Sequence, residues 1–246
     1  MRWRLLALGL CAYAVALVVT APAALLDAGL GRASNGRVRL ADASGSLWSG
    51  VGELEFLDAG GSAGIARSLV WRVRPASLLR GRLVCEVGLG DTARRFPVTL
   101  SLEGFAVENA DVSLPTAVLG LAVPKLAPLE LTGHVRILLR DLSVKRQSLR
   151  GHGTLEWRDA GSALSPVAPI GSYELRFNAD GVRVTVALRT LQGPIRIDGR
   201  GSWSTRARPA FRGTARVPPQ YRQQLSPLLR LISVERSPGT FDLSLQ

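Results

Sequence analysis

Side chains able to do chemistry are few in this 246-residue chain, and they are scattered. The histidines stand alone: His134 follows Gly133, and His152 is flanked by Gly151 and Gly153. A general base needs a nucleophile within reach, and a metal site needs further ligands at suitable spacing, so both histidines read as polar strand or turn residues. Glu53 and Glu55 are two apart and share one face of a strand, which suits paired carboxylates but equally a solvated face. Asp58, Asp111, Asp159, Asp180 and Asp198 mostly border strand ends and glycines, where a carboxylate caps turns. Cys85 sits in an apolar run and reads as a small core residue, while Cys11 belongs to a separate apolar run, so no disulfide and no zinc cluster is expected. Gly31 and Gly36 flank Arg32 and Asn35 without the Gly-Lys-Ser/Thr ending of a phosphate loop. The residues therefore point to no catalytic, cofactor-binding or metal site, and to a protein that is not an enzyme.

Arginine is what the chain has in quantity. Lys and Arg number 31 against 19 Asp and Glu, a net charge of +12, and only Lys125 and Lys145 are lysines. Arg72, Arg74, Arg136, Arg176, Arg183, Arg189 and Arg196 alternate with apolar residues, with denser groups from Arg140 to Arg150 and from Arg206 to Arg216. Such charges decorate the wet face of strands. A nucleic-acid module would add exposed aromatics for stacking, yet aromatics are 6% and Trp48, Trp71 and Trp157 sit in apolar contexts. Nucleic acid is not an expected partner; anionic lipid remains open.

The elements that carry these residues follow from a period of two. Val182, Val184, Val186 and Leu188 alternate with Arg183, Thr185 and Arg189, and Asp180-Gly181 joins them to the alternating run Tyr173–Asn178 as a hairpin. Further strands are predicted at Val51 to Leu57, Ser68 to Val73, Leu83 to Leu89, Phe96 to Leu102, Val107 to Leu114, His134 to Leu139, Leu149 to Trp157, Ile195 to Trp203 and Phe211 to Val217. Short helices are predicted to open at prolines: Pro75 to Leu79, Pro115 to Leu121 and Pro218 to Leu231, the last split at Pro227. Residues 124–128, bounded by prolines, are the candidate boundary inside the body. The fold class is mainly β: a strongly curved, mostly antiparallel sheet, open-barrel-like, with a few short helices.

Leu5 to Leu26 carries no charge and is long enough to cross a bilayer core of about 20 residues. It reads as an uncleaved transmembrane helix, with Thr20-Ala21-Pro22-Ala23 as the alternative cleavage site of a signal peptide. Arg2 and Arg4 would hold residues 1–4 in the cytoplasm and send 27–246 across the membrane, into the periplasm of a bacterium.

Two motifs then carry a resemblance. Gly45, Leu47, Trp48 and Gly50 form Gly-x-Leu-Trp-x-Gly, and Trp71, Pro75, Leu78, Leu79, Gly81 and Leu83 form Trp-x-x-x-Pro-x-x-Leu-Leu-x-Gly-x-Leu. In these motifs, and in the order of features, the chain resembles protein N of the bacterial type II secretion system. That resemblance implies an accessory inner-membrane component that helps export folded proteins through contacts with other inner-membrane subunits, with no catalytic residue to carry over. It makes Trp48 and Trp71 core aromatics, the glycines bends and Pro75 a helix start. The alternative reading is a periplasmic lipid-binding or lipid-transfer protein of AsmA-like type.

Overall fold

The computed structural model describes residues 21–57, 63–90, 95–116, 129–230 and 234–245, together with Trp3, Leu6, Gly9, Leu10, Tyr13, Ala16, Leu17, Val19 and Thr20. The protein is mainly β, with most of the described residues in strands, antiparallel pairing and few short helices. It divides into two compact units, residues 1–95 and 96–246; residues 124–128 lie outside the described residues.

The first unit is a meander of β1 (Val38–Gly45), β2 (Ser49–Leu57), β3 (Ala63–Arg74) and β4 (Arg82–Leu89). Alternation sends Trp71 and Val73 inward and leaves Arg72 and Arg74 outside. The helix α1 (Ala24–Ala33) lays Leu26 and Leu30, one turn apart, on the cluster of Ala23, Leu40, Trp71 and Val73. α1 also closes the outer edge of β1. Asp27 accepts the Leu40 amide at 2.8 Å and pairs with the Arg39 guanidinium at 3.2 Å, while the Ser34 hydroxyl oxygen accepts the Val38 amide at 2.9 Å. The β1 strand was not apparent in the sequence, because a bulge between Ala41 and Ser44, with Asp42 at φ 48°, interrupts its alternation.

The apolar N-terminal run ends differently from its sequence reading. Pro22 bridges Ser46, the Leu47 amide donates to Ala21 O at 2.8 Å, and Ala21 and Ala23 are buried. Residues 21–26 thus belong to the folded unit, and the run left over for a span is shorter than 5–26. Among the described residues no helix is long and apolar enough to cross a membrane. Arg2, Arg4 and much of the run before Ala21 lie outside the described residues.

The second unit orders its strands β5 (Phe96–Ser101), β6 (Gly104–Val107), β8 (Leu131–Lys145), β9 (Ser148–Ser162), β10 (Gly171–Gly181), β11 (Arg183–Gln192), β12 (Arg196–Ser204), β13 (Phe211–Arg216), β15 (Thr240–Leu245) and β14 (Val234–Ser237). β7 (Ala110–Pro115) also pairs with β8. The single strand predicted at Val107 to Leu114 is two, because Asn109 at φ 49° breaks it and lets β6 and β7 pair with different stretches of β8. Pro115 closes β7 opposite His134 instead of opening a helix, since proline is tolerated at a strand end; residues 117–121 lie outside the described residues. Pro227 does not split its helix. After a 3-10 turn at Pro219–Tyr221, α2 (Arg222–Arg230) runs through it, held by Leu225, which is fully buried. Leu225 meets Ile195, Ala215, Val217, Phe241 and Tyr173 in the core of this unit, where each large apolar side chain contributes about 1.5–3 kcal/mol. The Tyr173 hydroxyl lies 3.1 Å from Ile195 O and 3.3 Å from Ile170 O, and burial pushes its pKa up.

Candidate functional site

The first motif is the tip of the β1–β2 hairpin. Gly45 has φ 105°, a left-handed conformation that a side chain resists, and a Cβ there would stand 2.5 Å from Ser49 O. The Ser46 hydroxyl oxygen accepts the Trp48 and Ser49 amides at 3.2 and 3.3 Å, which shapes the tip, and Ser46 O accepts the Trp71 indole N–H at 3.1 Å. Gly50 faces Trp71 across β2 and β3, and a Cβ on it would collide with the indole ring. Trp48 packs partly buried on the same cluster and accepts the Val73 amide through its carbonyl at 2.6 Å. Leu47 is tied to Ala21, as described above.

The second motif continues from Trp71 into a 3-10 helix at Pro75–Arg80 that ends on Gly81 at φ 67°, a left-handed cap whose amide returns to Leu78 O at 2.9 Å. Ser77 links this helix to β4, donating to Arg74 O at 2.6 Å and accepting the Val84 amide at 3.0 Å. Leu78 is exposed, Leu83 packs on the Trp71 cluster, and Leu79 lies within the 3-10 helix. The two motifs thus converge on Trp71 and set backbone geometry. Cys85 packs on the same cluster, and burial pushes its thiol pKa up.

Charge is organised in the second unit. Arg136, Glu156, Glu174 and Arg189 stand in one row across β8, β9, β10 and β11. Glu156 and Glu174 are directly opposite, which would repel, but each has its own guanidinium. Arg158 reaches Glu156 at 2.7 Å, while Arg176 and Arg189 reach Glu174 at 2.6 and 2.7 Å. Burial alone would raise the Glu174 pKa; the two guanidiniums outweigh it and hold the carboxyl below its usual range. Asp111 takes Arg136 through both oxygens, at 2.8 and 2.7 Å. Asp180 caps its hairpin by accepting the Arg183 and Val182 amides at 2.9 and 3.1 Å, which lowers its pKa.

The next row on the same face is Thr154, Arg176, Ala187, Arg200, Arg212 and Ser244. Beside it, toward His152, Asn178, Thr185 and Ser202, lies an open trough of about 730 Å³. On its other side, toward Asp198, Thr214 and Asp242 and ending at Arg236, lies a second of about 640 Å³. Arg200 borders both. Arg200 and Arg212 are directly opposite, as are Arg196 and Arg216, and none of these four side chains makes an ion pair or hydrogen bond among the described residues. The sequence reading did not single out Arg200 or Arg236. Cross-strand register would have exposed the Arg200 pairing, once the hairpin joining β12 to β13 was placed.

His134 and His152 stand on β8 and β9, and Glu53 and Glu55 on β2, with no nucleophile joined to them by a hydrogen bond among the described residues. Among those residues no three His, Cys, Asp or Glu side chains lie together as a metal site would need.

Neither the curated proteins nor the solved structures gave a match to the chain. A family model described as type II secretion system, protein N, matches residues 36–244, from just before β1 to the last strand and including both motifs. The chain therefore belongs to the type II secretion system protein N family and is a component of that system.

Proposed function

We propose that this protein is an accessory inner-membrane subunit of the type II secretion system that acts through protein-protein contacts and catalyses no reaction. The family match over residues 36–244 carries this reading. The anchor would be the segment before Ala21, with Arg2 and Arg4 in the cytoplasm and the β-rich body in the periplasm. The burial of Ala21, which accepts the Leu47 amide, and of Ala23, which packs with Leu40, Trp71 and Val73, supports a retained segment, because cutting after Ala23 would remove both. Leu5 to Thr20 is sixteen residues, about 24 Å as a helix, against a hydrocarbon core of about 30 Å. Local thinning of the bilayer and snorkelling of the flanking arginines accommodate that difference.

Photo-crosslinking from exposed strand positions in intact cells tests the reading. Adducts with other secretion subunits are the expected result. Adducts with lipid alone would overturn it in favour of a lipid carrier.

A further inference from the structure

The geometry points to a binding site for an acidic polypeptide segment in the paired troughs on the polar face of β9 to β15, with Arg200 and Arg212 as its anchoring residues. This rests on the protein-contact reading above and names the surface and the chemistry of the partner.

Like charges directly opposite on neighbouring strands repel. The opposed acidic pair on this face is relieved, since Glu156 and Glu174 both hold arginines, whereas the opposed arginine pairs are not. Arg200 and Arg212 have no such relief. They face each other in register, both exposed, and no described carboxylate is bonded to either. A guanidinium pair held side by side by the backbone presents two planar forks to one or two incoming carboxylates, the geometry in which arginine binds best. Arg176 at one side and Arg236 at the far end extend the basic lining.

The walls decide which anion fits. Asp198 and Asp242 line the second trough, so a polyphosphate or a layer of lipid headgroups, which offers negative charge alone, would meet repulsion there. A polypeptide brings amide N–H groups for those carboxylates as well as acidic side chains for the arginines. Thr154, Asn178, Thr185, Ser202, Thr214 and Ser244 offer hydrogen bonds to a peptide, and Phe177, Val186 and Leu243, which also line the troughs, offer apolar contact to its side chains. Together the troughs reach across seven strands, about 29 Å at about 4.8 Å per step, the length of about nine extended residues.

The experiment uses the full chain and a labelled peptide of alternating Glu and Ser, with affinity read by fluorescence anisotropy at low salt. Arg212→Glu is the diagnostic variant, because a carboxylate at that position would face Arg200 and relieve the repulsion. Binding is expected to weaken by about tenfold or more while the melting temperature holds or rises, so loss of binding cannot be ascribed to unfolding. Arg82→Glu, on β4 of the other unit, should leave binding unchanged. Equal weakening by both variants, or no weakening by Arg212→Glu, overturns the site. Inorganic phosphate or phosphatidylglycerol vesicles that bind as well as the peptide, and that lose binding in Arg212→Glu, would overturn the assignment to a polypeptide. If the peptide fails while crosslinks to secretion subunits persist, this site is wrong and the protein-contact function stands; if no subunit is recovered, that function falls whatever the peptide does.

Discussion

Gly50 and Trp71 act as one unit, since the indole occupies the space a side chain on Gly50 would need. Gly50→Ala must push that ring off the cluster it shares with Leu40 and Val73, and overpacking of this kind costs about 1–3 kcal/mol. The urea midpoint should fall by that amount and tryptophan emission should shift to the red; an unchanged midpoint would show that the glycine is dispensable. Glycines opposite aromatic rings recur, with Gly153 against Phe177 and Gly199 against Phe211, so the spacing of glycine to aromatic is a packing rule here. Glu174 carries a different expectation. Its folded pKa lies below its ordinary value of 4.5, so its contribution to stability is complete above that value and is lost as pH falls through the lower, folded one. Glu174→Gln should cost about 1–2 kcal/mol at neutral pH, discounted because both arginines are half in solvent. The difference from the parent should vanish in acid, and a constant difference at every pH would assign the loss to packing instead.

At the scale of elements, what could be read from sequence depended on whether a local rule was left undisturbed. The β10–β11 hairpin was legible because Asp180-Gly181 sits between two clean alternations and the aspartate caps its own turn. β1 was hidden by the Asp42 bulge, and β6 and β7 looked like one strand because an asparagine in the left-handed region leaves no mark on hydrophobic period. Pro227 misled for the opposite reason: a local penalty was outweighed by Leu225 in the core, which only the fold reveals. The charged face was legible as a face, but its pairings were not, because Asp111 meets Arg136 and Glu174 meets Arg189 through register between strands. The closure of β1 by α1 is likewise a long-range device. Asp27→Ala should free the Leu40 amide, raise its hydrogen-exchange rate well above that of its neighbours, and cost about 1–2 kcal/mol. Exchange at Leu40 equal to the parent would mean that α1 holds the edge without Asp27.

For the whole molecule, the net charge of +12 has two parts that respond differently to salt. Surface ion pairs such as Arg74 with Glu86 and Lys145 with Glu103 weaken slightly on screening. The unrelieved arginine pairs and the general excess of positive charge are eased by it. The melting temperature should therefore rise between about 0.01 and 0.3 M salt, where the Debye length shrinks from about 30 Å to under 10 Å; a fall would mean that the ion pairs dominate. Pro22 bridges Ser46 at the tip of the first hairpin. No slack separates the segment before Ala21 from the hairpin that holds the family motif, since Leu47 grips Ala21 directly. Force arriving along that segment is therefore delivered to the Gly45–Gly50 tip without first taking up a linker, so this hairpin is the point where the first unit would register a mechanical load.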